Sequence, residues 1–410
     1  MKILVLSNLY PPHFIGGYEL GCHEVVEGLK ARGHEVRVLT STYGVAKPEC
    51  NGEVYRWLEW DDFKASASRL YRVSRVIRKE MRNRKAFTSL LRVYRPDVVY
   101  AWNLGGISVS LLFLSQQLRL PVCYFVSDEW LALWGSNVVQ SFSSDPRRWL
   151  TASAKACLRA LAKLWKLVPS GSLDLRYVQF ASNYLKETTR RVGKPVDAGE
   201  IVHWCIDTQR FRFREQVNTP KRLLYAGQVV PHKGVDTAIE AIGVLVKNQV
   251  HGWKGLTIVG VADRGSAYLL ELQRLVRSYG LDDRVSFHER VSRDHLVRIY
   301  HEHDILLFPS VWEEPFSIAL LEAMSCGLAV IATATGGTPE ILQDETNALI
   351  FPKKDACACA RQIQRLLDDD ELFERIRSNG RRTVELGFRT ECQIASVESL
   401  LMKAANGLPA

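Results

Sequence analysis

Two stretches of this chain set ionisable side chains beside turn residues in a way that suits chemistry on an anion and a polyol. Tyr225-Ala226-Gly227-Gln228-Val229-Val230-Pro231-His232-Lys233-Gly234 puts a lysine and two glycines between a strand end and a helix start. Backbone N–H groups at a helix N-terminus attract anions, and a lysine beside them adds a point charge for phosphate. Taken alone, a surface lysine beside a turn glycine has the same local spelling. The second stretch, 309–324, follows an apolar run and holds Glu314 and Glu322 eight residues apart. With a helix starting near Phe316 or Ser317, Glu314 lies over its N-terminus. Glu322 then sits more than one turn inside, among Leu320, Leu321, Ala323 and Met324. A carboxylate so placed needs a partner. The vicinal hydroxyls of a sugar or ribose would serve, since one carboxylate accepts from both, and so would an arginine.

The elements that position these residues are legible from periodicity. Residues 2–7 form an apolar run closed by turn residues, 21–32 have helical spacing through Val25, Val26 and Leu29, and 35–40 are again apolar. This strand, loop, helix, strand unit belongs to parallel sheets, whose ligands bind at the carboxyl edge of the strands. The loop after the first strand carries Gly16-Gly17. Further strands are expected at 98–102 and 122–126. From Lys221 the pattern begins again, with strands at 222–226, 256–259, 285–287, 305–308, 329–332 and 348–350 and helical stretches between them. The expected fold class is therefore α/β, two doubly wound parallel-sheet domains in series. We place the first at 1–206, a polar hinge containing Arg210, Arg212, Arg214 and Pro220 at 207–220, the second at 221–385, and at 386–410 a terminal helix that can cross back to the first domain.

Composition narrows the function classes. The 410 residues include 54 Lys plus Arg against 45 Asp plus Glu, with 47% hydrophobic and 24% charged residues, which excludes disorder, collagen and coiled coil. Residues 1–200 hold 29 basic and 18 acidic side chains, so the excess positive charge lies in the first half and suggests an anionic partner there. Nucleic acid is disfavoured because no recognition motif accompanies the charge. Basic stretches at 69–95 and 147–166, the latter with Lys155, Arg159 and Lys163 on one helical face and Trp149 and Trp165 elsewhere, suit peripheral contact with an anionic bilayer; packed surface helices would look alike. No run of about 18 uncharged apolar residues occurs, and the short N-terminal apolar run reads as a strand, so a cytoplasmic protein is expected. Nine scattered cysteines show no zinc spacing and no disulfide framework. Neither G-x-G-x-x-G after a first strand nor G-x-x-x-x-G-K-[ST] is present, which weakens dehydrogenase and nucleoside triphosphatase readings. No convincing D-x-D stands at a strand end, and no metal or other cofactor is expected.

The E-x7-E spacing from Glu314 to Glu322, the 227–234 loop, the Pro11-Pro12-His13-Phe14-Ile15-Gly16-Gly17-Tyr18-Glu19 loop, the Gly33-His34-Glu35-Val36 turn and the 325–342 run together resemble the retaining glycosyltransferases of family four. The resemblance spans nearly the whole chain. It implies the GT-B fold, two Rossmann-like domains facing across a cleft, the second binding a nucleotide sugar and the first a glycan, lipid-linked or small-molecule acceptor. Carried over, Lys233 would neutralise the donor diphosphate and Glu322 would accept the ribose hydroxyls. Glu314, with the amides of Phe316-Ser317-Ile318, would hold the transferred sugar. Gly16 and Gly17 would let their loop approach the diphosphate, and 287–291, including Arg290 and Val291, would lie against the base. Asp128 would assist at the acceptor.

Three positions depart from the family pattern. Gln228 stands where the family has an arginine and cannot act as a bidentate clamp, leaving Arg264 and Arg290 as candidate substitutes. Ser127-Asp128-Glu129-Trp130 lacks the histidine that members carry before the aspartate. Trp204-Cys205 replaces Asn-Gly, with Asp207 retained. A nucleotide-sugar epimerase or hydrolase on the same fold, or a catalytically weak nucleotide-sugar-binding protein, are the other readings these residues leave open.

Overall fold

The computed structural model describes residues 1–60, 69–133 and 172–407, and the chain divides into two units, Met1–Val202 with Gln393–Ala410, and His203–Cys392. The first unit is built on β1 (Lys2–Leu6), β2 (Glu35–Ser41), β3 (Glu49–Asn51), β4 (Val54–Leu58), β5 (Val98–Ala101), β6 (Val122–Val126), β7 (Val178–Phe180) and β8 (Glu200–Ile201). Their order is β3-β4-β2-β1-β5-β6-β7-β8, parallel throughout except for β3 against β4. Ile3, Leu4, Val5 and Leu6 are fully buried because β1 is central and a parallel sheet is covered on both faces, so its strands carry unbroken apolar runs. The β3–β4 hairpin and the short β7 and β8 escaped the sequence reading, because their few residues mix polar with apolar side chains.

In the second unit, β9 (Lys221–Ala226), β10 (Trp253–Val261), β11 (Val285–Glu289), β12 (Ile305–Phe308), β13 (Ala329–Ala332) and β14 (Leu349–Ile350) form an all-parallel sheet ordered β11-β10-β9-β12-β13-β14. Leu223, Ile258, Ile305 and Ile331 from the sheet pack with Ala238, Ile239 and Ile242 from the helix Val235–Lys247 and Ile363 and Phe373 from later helices. The expected α/β class of two doubly wound sheets holds.

The 207–220 stretch, expected as a hinge, is instead built into the second unit. Phe211 is fully buried, Arg214 pairs with the buried Asp304, and Arg381 donates to the Phe211 carbonyl at 2.8 Å. The polar residues that suggested a linker bind the second unit instead, Arg210 through Asp294 and Arg214 through Asp304. The helix Thr390–Ala405 begins beside this unit and from Gln393 groups with the first. There Ile394 fills the space that a side chain at Gly28 would need, and Glu398 receives Arg32 and His34.

Candidate active site

In each sheet the order reverses once, and such reversals open a crevice at the carboxyl ends of the strands. In the second unit the reversal lies between β9 and β12, and both sequence-predicted stretches start there. After β9 a single 3-10 turn, Pro231–Lys233, is followed by Gly234 at φ 67° and then the helix Val235–Lys247. A Cβ on Gly234 would come within 2.1 Å of the Pro309 carbonyl oxygen, so the two loops touch backbone to backbone. The Val311 and Trp312 amides both donate to the His232 carbonyl, at 3.1 and 3.2 Å, which ties the β12 loop to the lysine loop.

This bracing brings Lys233 to Glu314. The ammonium donates to both carboxylate oxygens at 2.7 Å, Ser310 Oγ donates to Oε1 at 2.5 Å, and the Glu314 side chain is only 4% exposed. The Trp312 ring lies 5.5 Å from the Lys233 ammonium. From the other side, Gly336 at φ 54° presses against the Glu314 backbone, and the Gly337 amide donates to the Glu314 carbonyl at 2.7 Å. Phe316 and Ser317 are buried, and Ser317 caps the helix Ile318–Cys326 with its backbone alone. The helix therefore begins where the sequence placed it, with its first amides beside Glu314.

Glu322 lies one turn inside that helix and has protein partners. Arg293 donates from Nε to Oε1 at 3.1 Å and the Tyr300 hydroxyl donates to Oε2 at 3.2 Å. Burial and the adjacent carboxylate hold Tyr300 well above the usual phenol range, so it stays a donor. Of the two partners the sequence left open, the arginine is present, as an ion pair in which the Glu322 side chain is only 7% exposed. Arg293, Tyr300 and Ser310 were missed by sequence reasoning. No local spacing links positions 293 and 300 to 322; the helix Arg293–Glu302 packs beside Ile318–Cys326 only in three dimensions.

Gln228, Arg264, Arg290 and Val291 lie on the tips of β9, β10 and β11. A Cβ on Gly260 would meet the Gly227 carbonyl oxygen at 1.9 Å, which places the Gln228 loop directly over the end of β10. Arg264 is exposed and paired with Glu289, and the Arg290 amide donates to the Val261 carbonyl at 3.1 Å. Neither arginine is brought to the Lys233–Glu314 pair, so the expected replacement for the missing clamp at Gln228 is not assembled around that pair. Asp369, in the acidic run 368–370, caps the helix Asp370–Gly387, and Asp370 pairs with Lys221. Among the described residues no group of three or more His, Cys, Asp or Glu is placed to share a metal ion.

The first unit's reversal lies between β1 and β5, and it too carries a polar network. Asn8 after β1 donates to the Gly105 carbonyl at 2.9 Å and accepts from the Tyr18 hydroxyl. Asn103 after β5 donates to Asp128 Oδ2 at 2.5 Å, and the Trp130 amide donates to Oδ1 at 2.9 Å. The fully buried Glu19 accepts the amides of Ile15 and Gly16 at 3.1 and 3.0 Å, fixing the glycine loop. Gly17 keeps an ordinary φ of −91° at the helix start.

Desolvation raises the Asp128 carboxyl to about 6, against the lowering effect of its two hydrogen bonds. The folded state therefore holds this proton more tightly than the unfolded chain does. Stability from this group is complete below about pH 4 and falls as pH rises towards 6, by about 3 kcal/mol in all. Denaturant titrations at stepped pH should show that decline in the native chain and a flatter profile in Asp128→Asn.

Two family models match in tandem: a glycosyl transferase 4-like domain over residues 16–163 and the glycosyl transferases group 1 domain over residues 207–383. The chain is a family-four glycosyltransferase. This glycosyltransferase is similar over 94% of its length to an uncharacterized glycosyltransferase of Methanocaldococcus jannaschii, at 26% identity with 93% of that protein covered. Among solved structures it resembles the sucrose-phosphate synthase of Thermosynechococcus elongatus, with TM-score 0.72, 20% identity and 99% of each chain covered. It also resembles Anabaena HepE in complex with UDP and glucose, with TM-score 0.66, 18% identity, and 98% and 99% covered. The glycosyltransferase thus has the GT-B fold expected from its motifs.

Proposed function

We propose that this enzyme transfers a hexose from a nucleoside diphosphate donor, held at the β9/β12 reversal, to an acceptor hydroxyl at the β1/β5 reversal, with retained configuration and without a metal ion. The observation that carries the reading is the Lys233–Glu314–Ser310 cluster at the strand reversal, beside the amides of Phe316, Ser317 and Ile318. Lys233 exchanges Glu314 for the diphosphate, and Glu314 turns to the hydroxyls of the sugar. The bond between the anomeric carbon and the diphosphate oxygen breaks, and its electron pair leaves with the phosphate. The acceptor oxygen bonds to the same face and its proton passes to the departing phosphate. Lysine and helix amides stabilise the charge that develops. Glu322 accepts from the ribose hydroxyls, Arg290 and Val291 flank the base, and Asp128 orients the acceptor hydroxyl. The UDP and glucose in the Anabaena neighbour support a donor of this class.

The test is nucleoside diphosphate release from a panel of nucleotide sugars, with and without acceptors. A transferase releases diphosphate only when an acceptor is present, whereas an epimerase or hydrolase converts the donor alone. Chelation of divalent ions should leave the rate unchanged; its abolition would refute the metal-free mechanism. Glu322→Gln should weaken nucleoside diphosphate binding about tenfold by calorimetry. The 2′,3′-dideoxy nucleotide should bind the native chain and the variant equally, and an equal loss with both nucleotides would remove the ribose assignment.

A second reading concerns where the enzyme works. The helix Arg69–Tyr94 exposes Arg78, Arg82, Lys85 and Arg92 beside Met81 and Val93, which are 60% and 78% exposed. We propose peripheral contact of this face with anionic bilayers. Phosphatidylglycerol vesicles should carry the chain in flotation, and Arg78→Glu with Lys85→Glu should release it. The 147–166 stretch lies outside the described residues, and among those described no helix is long and apolar enough to cross a membrane.

A further inference from the structure

The carboxyl edge of the first unit's sheet carries an aromatic pair that neither the core nor the polar network uses. Tyr43 follows β2 and Trp60 follows β4; their rings meet edge to face at 5.0 Å and 73°, and both side chains are half-buried. In such a pair one ring uses a face and the other only an edge, so ring faces remain for another apolar surface. Neither the Tyr43 hydroxyl nor Trp60 Nε1 makes a hydrogen bond among the described residues.

The pair is held in place from below. The Thr42 amide donates to the Leu58 carbonyl at 2.8 Å, joining the ends of β2 and β4, and the Tyr43 amide donates to Ser41 Oγ at 3.3 Å. Ser41 Oγ in turn donates to the Asn8 carbonyl, and a Cβ on Gly44 would strike the His13 ring at 2.4 Å. The Asn8 amide donates to the Asn103 carbonyl at 2.7 Å, and Asn103 holds Asp128. A continuous path of hydrogen bonds thus runs along the edge from the aromatic turn to the carboxylate.

Sheet order converts this path into a length. Along the edge the residues stand in the order Trp60, Tyr43, Asn8, Asn103, Asp128, two residues past the ends of β4, β2, β1, β5 and β6. Three strand spacings separate Tyr43 from Asp128 and four separate Trp60 from it, roughly 14 and 19 Å. That exceeds one pyranose ring and matches a short oligosaccharide. Pyranoses present an axial C–H face to aromatic rings and equatorial hydroxyls to polar groups, and this edge offers both.

Resting on the reading of the first unit as the acceptor-binding one, we propose that Tyr43 and Trp60 form a stacking platform for a pyranose unit of an oligosaccharide acceptor whose reacting end lies at Asp128. The acceptor is then a glycan of at least two or three units, and the platform sets its preference for length.

The experiment uses the full chain and reads nucleoside diphosphate release from UDP-, GDP- and ADP-sugars onto mono-, di-, tri- and tetrasaccharides of glucose, galactose, mannose and rhamnose. We expect kcat/KM to rise about tenfold from monosaccharide to trisaccharide. Tyr43→Leu and Trp60→Leu keep apolar bulk but lose the ring face, and should bring the trisaccharide down to the monosaccharide's value. Tyr43→Phe and Trp60→Phe should retain most of the rise. Calorimetric binding of UDP, GDP and ADP should be the same in all variants. Equal use of mono- and trisaccharides, an undiminished rise in the leucine variants, or a panel with no acceptor at all while nucleoside diphosphate still binds would each overturn the platform and leave the donor site standing. Failure of the native chain to bind any nucleoside diphosphate would instead remove the donor reading beneath it.

Discussion

Lys233→Ala should lower kcat/KM by about 100- to 1,000-fold, the range seen when one preorganised charge-stabilising donor is removed from a transferase or hydrolase site. The same change should destabilise the fold by about 3 kcal/mol, because the Glu314 carboxylate would lose its counter-ion in a nearly closed environment, with Ser310 as its remaining side-chain donor. The two effects are separable. In Lys233→Ala with Glu314→Gln the stranded charge is gone, so thermal unfolding should recover towards the native value while diphosphate release stays low. Recovery of turnover in the double variant would mean that Lys233 matters only as a structural counter-ion. Near-native turnover in the single variant would remove the lysine from the donor site altogether.

Gly234→Ala should be nearly as damaging, for a reason that has nothing to do with charge. A left-handed φ by itself is tolerated here: Arg95, Arg119, Gln249, Glu345 and Lys354 all adopt φ between 50° and 59°. What excludes a side chain at Gly234 is the Pro309 carbonyl, 2.1 Å from where a Cβ would lie. Backbone cannot swing aside as a flexible side chain would, so the β9 and β12 loops must part. Parting them removes the amide contacts from Val311 and Trp312 to His232 and separates Lys233 from Glu314. We expect a loss of roughly 3 kcal/mol or more in unfolding free energy, together with loss of nucleotide binding. A melting profile and calorimetric titration matching the native chain would show that the loops do not depend on this contact.

These two residues illustrate what could be read in advance. The lysine was legible because its loop stands between an apolar run and a helical one, and the same holds for Glu314 ahead of Ile318–Cys326. Both doubly wound sheets were legible for a related reason, since strands covered on two faces must be apolar throughout and each is punctuated by glycine, proline or polar turns. The basic excess of the first half was likewise visible, and part of it lies on the exposed face of Arg69–Tyr94. By contrast, 207–220 looked like a linker because polarity was all the sequence displayed. Its polar side chains pair with acids far along the chain, Arg210 with Asp294 and Arg214 with Asp304, and the Arg214 amide donates to the Cys326 carbonyl.

By itself, then, the amino-acid sequence determined the α/β alternation, the restart at Lys221, the site of Lys233, Glu314 and Glu322, and through their order the glycosyltransferase family. Only the tertiary structure decided that Lys233 closes on Glu314, that Arg293 and Tyr300 hold Glu322, and that Tyr43 and Trp60 stand together on the edge that leads to Asp128. Local order follows from side-chain periodicity and turn chemistry, which act over a few residues. Partnerships between residues 17 to 81 positions apart depend on which strand tips the sheet order makes neighbours, and on which helices pack side by side, and that order is a property of the whole fold.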